Sequence, residues 1–204
     1  MDLIEAIRHR RSVRKFQLRP VPPELLECLI EAAGWAPSAS NRQDWEFVVV
    51  TASELKTRMA AVVDKKWQEL LAKADSDILH EAVGPYAKNF DWFAAAPVVI
   101  AITCKPPEGF LQHLLGPAAA EIAGCRTSAA MAAQNLLLAA YAAGLGGCCL
   151  TGPVAAIDEL RPLLELGRRR ELVCLIALGY PAETPKAPSR KPAEEIMRTM
   201  GVKE

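Results

Sequence analysis

The chain has 204 residues, 51% of them hydrophobic, and its 24 Lys and Arg balance its 24 Asp and Glu to a formal net charge of zero. That length suits a single domain, residues 1–204, with a sizeable core. Neutrality removes any general attraction to nucleic acid or to an anionic membrane, so neither is expected as a partner.

The chain starts Met1-Asp2-Leu3-Ile4-Glu5, acidic and without an apolar signal region, so a cytoplasmic protein is expected. Residues 2–9 read as a short helix with Leu3, Ile4 and Ile7 on one face. Pro22-Pro23-Glu24 opens a second helix running to about Trp35, since proline and early acid suit a helix start. A polar loop, Ala36 to Gln43, leads into a strand from Trp45 to Val50, rich in β-branched and aromatic residues. Ser53 is read as the N-cap of a helix reaching about Ala72.

Residues 73–95 are mixed, and Pro97 to Thr103 forms a second strand. Pro106, Pro107, Gly109 and Gly116 mark a loop over 105–117. A long Ala-rich helix is expected from Ala118 to Ala143, stopped by Gly144. Ser128 to Leu150 carries no charged side chain and is long enough to span a bilayer, but Gln134-Asn135 at its centre favours a buried core or dimer helix. Beyond it lie a short strand at Cys148–Leu150, a helix from Ile157 to Leu166, a strand from Leu172 to Leu178, and a Pro-rich tail ending in a short helix through Met200. The expected fold is α+β, a small mixed central sheet flanked by helices.

The six cysteines, Cys28, Cys104, Cys125, Cys148, Cys149 and Cys174, form no C-x-x-C pair, and the three histidines lie far from any Cys pair. No metal site and no disulfide framework is expected; buried thiols are. Cys148-Cys149 are adjacent, a spacing that strains a disulfide, so they read as small packing residues. Gly144-Leu145-Gly146-Gly147 follows a helix rather than a strand, which argues against a dinucleotide fingerprint.

Four segments carry polar chemistry. Arg10-Arg11-Ser12-Val13-Arg14 offers guanidiniums suited to bidentate phosphate binding, although a basic run of this length, taken alone, is more often a solvated face or a nucleic-acid arm. Pro37-Ser38-Ala39-Ser40-Asn41-Arg42-Gln43 places two amides on one loop, fit for the polar edge of a heteroaromatic ring, or is an ordinary helix-to-strand connection. The third runs from Ala132-Ala133-Gln134-Asn135 into Gly144-Leu145-Gly146. The fourth is Leu178-Gly179-Tyr180-Pro181 with Ser189-Arg190-Lys191-Pro192 and Glu194-Glu195-Ile196.

In this order and spacing, from Ile4 to Ile196, the four segments resemble the nitroreductase family of FMN enzymes. The resemblance implies an interlocked homodimer with two FMN sites at its interface. It implies that Arg10, Arg11, Ser12 and Arg14, with Arg190, hold the FMN phosphate. It implies that Pro37, Ser38, Asn41 and Gln43 lie against the flavin of the partner subunit, and that Thr151 brings a hydroxyl near flavin N5.

The implied activity is ping-pong transfer from NADH or NADPH, through the flavin, to a nitroaromatic, quinone or similar small-molecule acceptor. The flavin carries the electron chemistry, so no catalytic side chain is required. A reductase of halogenated or unsaturated metabolites on the same scaffold, and a non-catalytic FMN carrier or sensor, are the alternatives. Asp44 stands where the family loop often has proline. The deiodinase branch grips its amino-acid substrate with a Glu, a Tyr four residues later and a Lys; residues 64–82 lack that Glu-to-Tyr spacing, so deiodination is not expected. Residues 64–95, including Trp67, Tyr86, Phe90 and Trp92, are expected to cover the active site, either stacking on the acceptor or simply packing.

Overall fold

The computed structural model describes residues 2–76, 91–106 and 124–201, with a few isolated positions between these stretches. Four strands form one sheet in the order β1-β2-β4-β3: β1 Trp45–Val50, β2 Val98–Cys104, β3 Gly146–Leu150 and β4 Glu171–Gly179. All three strand pairings are antiparallel where a mixed sheet was expected, and the parallel contact is an isolated bridge from Ser12, outside the strands, to Gly147.

Central strands β2 and β4 are near-continuous runs of Val, Ile, Leu and Ala because both of their faces are covered. Ile100, Ile102, Cys174 and Ile176 face helices α2 (Pro23–Gly34) and α4 (Cys125–Ala142). Val99, Ala101, Leu175 and Ala177 face α3 (Ser53–Ala72) and α5 (Ile157–Leu163). A short helix α1 (Leu3–His9) precedes these layers and a one-turn helix α6 (Ala193–Ile196) follows them. Small residues let α4 lie close to the sheet and to α2: Ala129, Ala132 and Ala140 are fully buried.

The stop of α4 matches the expectation at Gly144. Gly144 has φ +77°, a conformation open to glycine at little cost. Its N–H donates to Tyr141 O at 3.0 Å, and that of Leu145 to Ala140 O at 2.8 Å. These two bonds close a Schellman motif and satisfy carbonyls the helix would otherwise leave open.

Several boundaries differ from the sequence reading. Ser53 is the first residue of α3, not its cap; the capping position is Ala52, and the Ser53 carbonyl accepts from Thr57 Oγ1 at 2.9 Å. Helix α5 ends at Leu163, where Glu165 turns to φ +52° and the Leu166 N–H closes back onto Arg161 O at 3.0 Å. Helix α6 stops at Ile196, with Met197 extended. The expected start of α4 at Ala118, and Tyr86 and Phe90, lie outside the described residues. No helix among the described residues is long and apolar enough to cross a membrane.

Candidate active site

The arginine segment leaves α1 and is stitched to the start of β3. Val13 N–H donates to Gly147 O at 3.1 Å. The approach is as close as it is because β3 opens with Gly146. A Cβ at Gly146 would lie 2.7 Å from a Val13 methyl, and one at Gly147 would lie 2.8 Å from Leu137 Cδ2. A second clamp comes from Glu183, whose Oε1 accepts the backbone N–H of Arg14 at 2.6 Å and of Lys15 at 3.1 Å.

These contacts frame a cavity of about 530 Å³, in the size range of small-molecule sites. Arg10, Arg11, Val13, Tyr141, Gly146 and Glu183 are among its walls. Arg10 Nε is buried without a hydrogen-bond partner. A buried donor in that state costs about 1–3 kcal/mol unless something accepts from it. The Arg11 Nη1 donates to Arg8 O and Arg10 O at 2.7 and 2.8 Å, and the Arg14 Nη1 to Ser12 O at 3.4 Å. The donor set therefore fits a phosphate dianion, with Arg10 already aimed and desolvated.

Two thiols share this corner. Burial pushes the Cys148 thiol up, while the Arg14 charge and the Ser12 hydroxyl pull it back. A hydrogen bond from Cys174 holds Cys149 below its ordinary value against the effect of burial, with Arg10 adding to the pull. Arg190 is exposed and its Nη1 donates to Ser189 O at 3.2 Å; the tail residues that line the cavity are Glu183, Thr184, Pro185 and Ala187.

The amide loop is held in a strained turn. Ser40, Asn41 and Gln43 have φ of +53°, +52° and +50°. Gln43 N–H donates to Ser38 Oγ at 3.0 Å, and Gln43 Nε2 to Asn41 Oδ1 at 3.2 Å. Pro37, Asn41 and Gln43 are exposed. Left-handed backbone at non-glycine residues costs about 1–3 kcal/mol each and is concentrated at functional sites. Asp44, in place of the expected proline, accepts from Arg42 Nε at 2.9 Å and offers its carbonyl to Lys105 N–H and Arg170 Nη1, both at 3.1 Å.

One copy of the chain does not bring these two groups together. The loop enters β1 at Trp45, which pairs with Cys104 and through it with Glu171, the first residue of β4. The arginine segment meets β3 at Gly147, beside Gly146, which pairs with Gly179, the last residue of β4. The groups thus sit at diagonally opposite corners of the sheet. Eight residue steps along β4 and three strand spacings separate them by roughly 30 Å, longer than a mononucleotide.

Thr151 is exposed at the end of β3 and heads the short turn Gly152–Ala156. Trp67, expected to stack or pack, donates its indole N–H to Gly152 O at 3.1 Å and so pins that turn. Sequence reasoning missed Glu183, which no local signal marks. It also passed over Gly167-Arg168-Arg169-Arg170, which a scan for basic runs exposes. Among the described residues no group of His, Cys, Asp and Glu could hold a metal ion.

The sequence pattern of the nitroreductase family matches residues 7–180. This chain belongs to the nitroreductase family. A relative from Methanothermobacter thermautotrophicus, described as a candidate NADH dehydrogenase/NAD(P)H nitroreductase, is 32% identical over 91% of this chain and 80% of its own. An iodotyrosine deiodinase of Nematostella vectensis is 29% identical over 96% of this chain and 74% of its own. Among solved structures, a BluB-like flavoprotein from Clostridium difficile 630 superposes with a TM-score of 0.85 at 33% identity, covering 98% of this chain and 100% of that one. A nitroreductase from Bacteroides fragilis with bound FMN shares the fold, with a TM-score of 0.75 at 21% identity over 98% and 100% of the two chains. The family's α+β fold is the one described above.

Proposed function

We propose that this nitroreductase-family protein is an FMN-dependent oxidoreductase, working as a homodimer, that takes a hydride from NADH or NADPH and passes the electrons in a ping-pong cycle to a nitroaromatic, quinone or similar small acceptor. When bound, FMN supplies the electron transfer. The chain's own residues bind, orient and shield. Arg10, Arg11 and Arg14, with the Ser12 hydroxyl and Arg190 from the tail, hold the phosphate. Gly146 lets the arginine segment lie against β3, and Gly147 makes room for Leu137 of α4. Pro37, Ser38, Asn41 and Gln43 of the second copy close over the ring, and Thr151 offers a hydroxyl beside it.

The observation that carries this reading is the buried, unpartnered Arg10 Nε in the wall of a cavity that Arg11 also lines. The FMN-bound and flavoprotein relatives support the cofactor, and the nitroreductase relative supports NAD(P)H as donor. The diagonal separation of the two groups supports the homodimer, because each site is complete only when a second chain supplies the amide loop.

The test is the visible spectrum of purified protein, recorded without oxygen before and after NADH or NADPH. Flavin bands that bleach are expected. Bands that persist with both donors would overturn the NAD(P)H reading in favour of a carrier or sensor. Colourless protein that takes up no added FMN would overturn the cofactor itself.

The deiodinase relatives favour a second reading, reductive removal of halogen from an aromatic amino acid. Against it stands the missing Glu-to-Tyr spacing over 64–82, part of which lies outside the described residues. An acceptor panel pairing a quinone and a nitroarene with 3-iodotyrosine separates the two.

A further inference from the structure

Glu183 lies 169 positions along the chain from Arg14 and reaches back to it. One carboxylate oxygen, Oε1, accepts the Arg14 N–H at 2.6 Å and the Lys15 N–H at 3.1 Å. Hydrogen bonds to a carboxylate are shorter and about twice as strong as those between neutral groups. The side chain is half-buried and lines the same cavity as Arg10 and Arg11.

This contact is not what joins the two segments. Ala182 N–H donates to Lys15 O and Gln17 N–H to Tyr180 O, both at 2.9 Å, and Gln17 Nε2 donates to Pro181 O at 2.9 Å. Phe16 bridges antiparallel to Pro181. That ribbon stands without the Glu183 side chain. Upstream, Val13 N–H donates to Gly147 O. Between these two anchors lie the N–H groups of Arg14 and Lys15, and Glu183 is the acceptor that fixes them.

What is fixed there is the root of the phosphate grip. Side chains alternate along an extended segment. Ser12 and Arg14 accordingly share a side: burial pushes the Cys148 thiol up, and both the Arg14 charge and the Ser12 hydroxyl pull it back. A turn of the backbone at Arg14 would carry its guanidinium away from that hydroxyl. The charge of Glu183 works the other way, because a carboxylate in the wall of a phosphate site repels the dianion. Its presence is explained by the bonds it makes, not by its charge.

We propose that Glu183 is a positioning residue for the phosphate grip: by holding the Arg14 and Lys15 N–H groups it keeps the Arg14 guanidinium beside the Ser12 hydroxyl, and so sets the preference of the site for FMN over riboflavin. The inference rests on the FMN reading above. Riboflavin carries the same ring without the phosphate, so it reports general damage to the site and nothing of the grip.

The test is the dissociation constant of each flavin, from quenching of flavin fluorescence, for the full-length protein stripped of flavin. Three variants are compared with the wild type, each with a melting curve. Glu183→Ala removes the acceptor. Glu183→Gln keeps an oxygen at the same reach and loses the charge. Glu183→Asp keeps the charge and falls one methylene short. The wild type is expected to bind FMN at least about 10-fold more tightly than riboflavin. Glu183→Ala and Glu183→Asp should lose about 10-fold in FMN affinity, with riboflavin affinity unchanged. Glu183→Gln should stay within about 3-fold of the wild type for both flavins. The Gln and Asp variants decide the matter even where Ala fails to fold.

Equal losses for FMN and riboflavin make Glu183 part of the scaffold alone and overturn the proposal. So does an FMN affinity that Glu183→Ala leaves unchanged or raises, since the carboxylate would then act only by its charge. Wild-type affinity in Glu183→Asp with a loss in Glu183→Gln overturns it as well. A wild type that binds neither flavin overturns the FMN reading and the grip together, and is told apart because it fails before any variant is made.

Discussion

At the scale of single residues, the amide loop and the arginines make opposite demands on stability. Ser40 sits at φ +53°, ψ +28°, a conformation its Cβ disfavours, and its hydroxyl has no assigned role. Ser40→Gly removes that strain, while glycine's greater freedom in the unfolded chain takes back part of the gain. A net stabilisation of about 1 kcal/mol and a rise in Tm of a few degrees are expected in a thermal melt. An unchanged or lower Tm would show that the turn is not strained at this position. In the proposed function Arg14 and Arg190 serve FMN binding rather than folding. Replacing either with Ala removes a charge-assisted phosphate bond and is expected to weaken FMN affinity about 10-fold. Full flavin retention by both variants through dialysis would refute the phosphate assignment.

At the scale of elements, the junction of β3 with the arginine segment depends on side chains that are missing. An alanine methyl at Gly146 would meet Val13 Cγ2, Cβ and Cγ1 at 2.7, 2.8 and 3.0 Å. Valine is branched at Cβ and its Cβ cannot swing away, so the backbone must part. Gly146→Ala is expected to cost about 1–3 kcal/mol and to release FMN. The Gly146→Ala/Val13→Ala double variant loses the two methyl contacts but keeps the Cβ contact at 2.8 Å, so it should recover only part of both, and Gly146→Ala/Val13→Gly more. Gly34→Ala, where a Cβ meets nothing within 4 Å, serves as the silent control.

A second element-scale contact joins α3 to α5. Lys66 Nζ lies 3.1 Å from Glu159 Oε1, and this hydrogen bond and charge hold the Glu159 carboxyl below its ordinary value. A carboxyl depressed in the folded state stabilises above its unfolded value near 4.5 and loses that contribution as pH falls through the depressed one. Between pH 5 and pH 3 the melting temperature of the wild type should therefore fall further than that of Glu159→Gln. Parallel curves would show the pair to be inert. The strands were legible because Val-Val-Ile-Ala-Ile-Thr and Leu-Val-Cys-Leu-Ile-Ala-Leu are rich in β-branched and apolar residues and carry no charge. Their pairing was not, since strands buried on both faces lack the alternation that would set register and face. The Ser53 cap misled because a hydroxyl before an apolar run marks N-cap and N1 alike.

At the scale of the whole molecule, the sequence carries the composition of the site but not its geometry. Arg10 to Arg14 and Pro37 to Gln43 stand out by residue type, yet nothing in their spacing says that one chain holds them at opposite corners of a sheet. The meeting of Lys105 with the turn Gly167 to Arg170 was harder still, because strand pairing of Cys104 with Glu171 and the shared acceptor Asp44 O bring these distant segments together. The diagonal geometry makes a quantitative prediction. In a two-fold dimer each site takes its phosphate grip from one chain and its amide loop from the other. Arg10→Ala/Arg14→Ala spoils the first contribution and Asn41→Ala/Gln43→Ala the second, and each variant alone should turn over poorly. Unfolded together and refolded in equal amounts, half of the dimers are mixed. Each mixed dimer pairs one intact site with one doubly damaged site, so activity and bound flavin should recover to about a quarter of the wild-type value. Recovery absent in a mixture shown by native mass spectrometry to contain heterodimers would mean that each chain builds its own site, and the roughly 30 Å between the two corners would then have to be closed within a single fold.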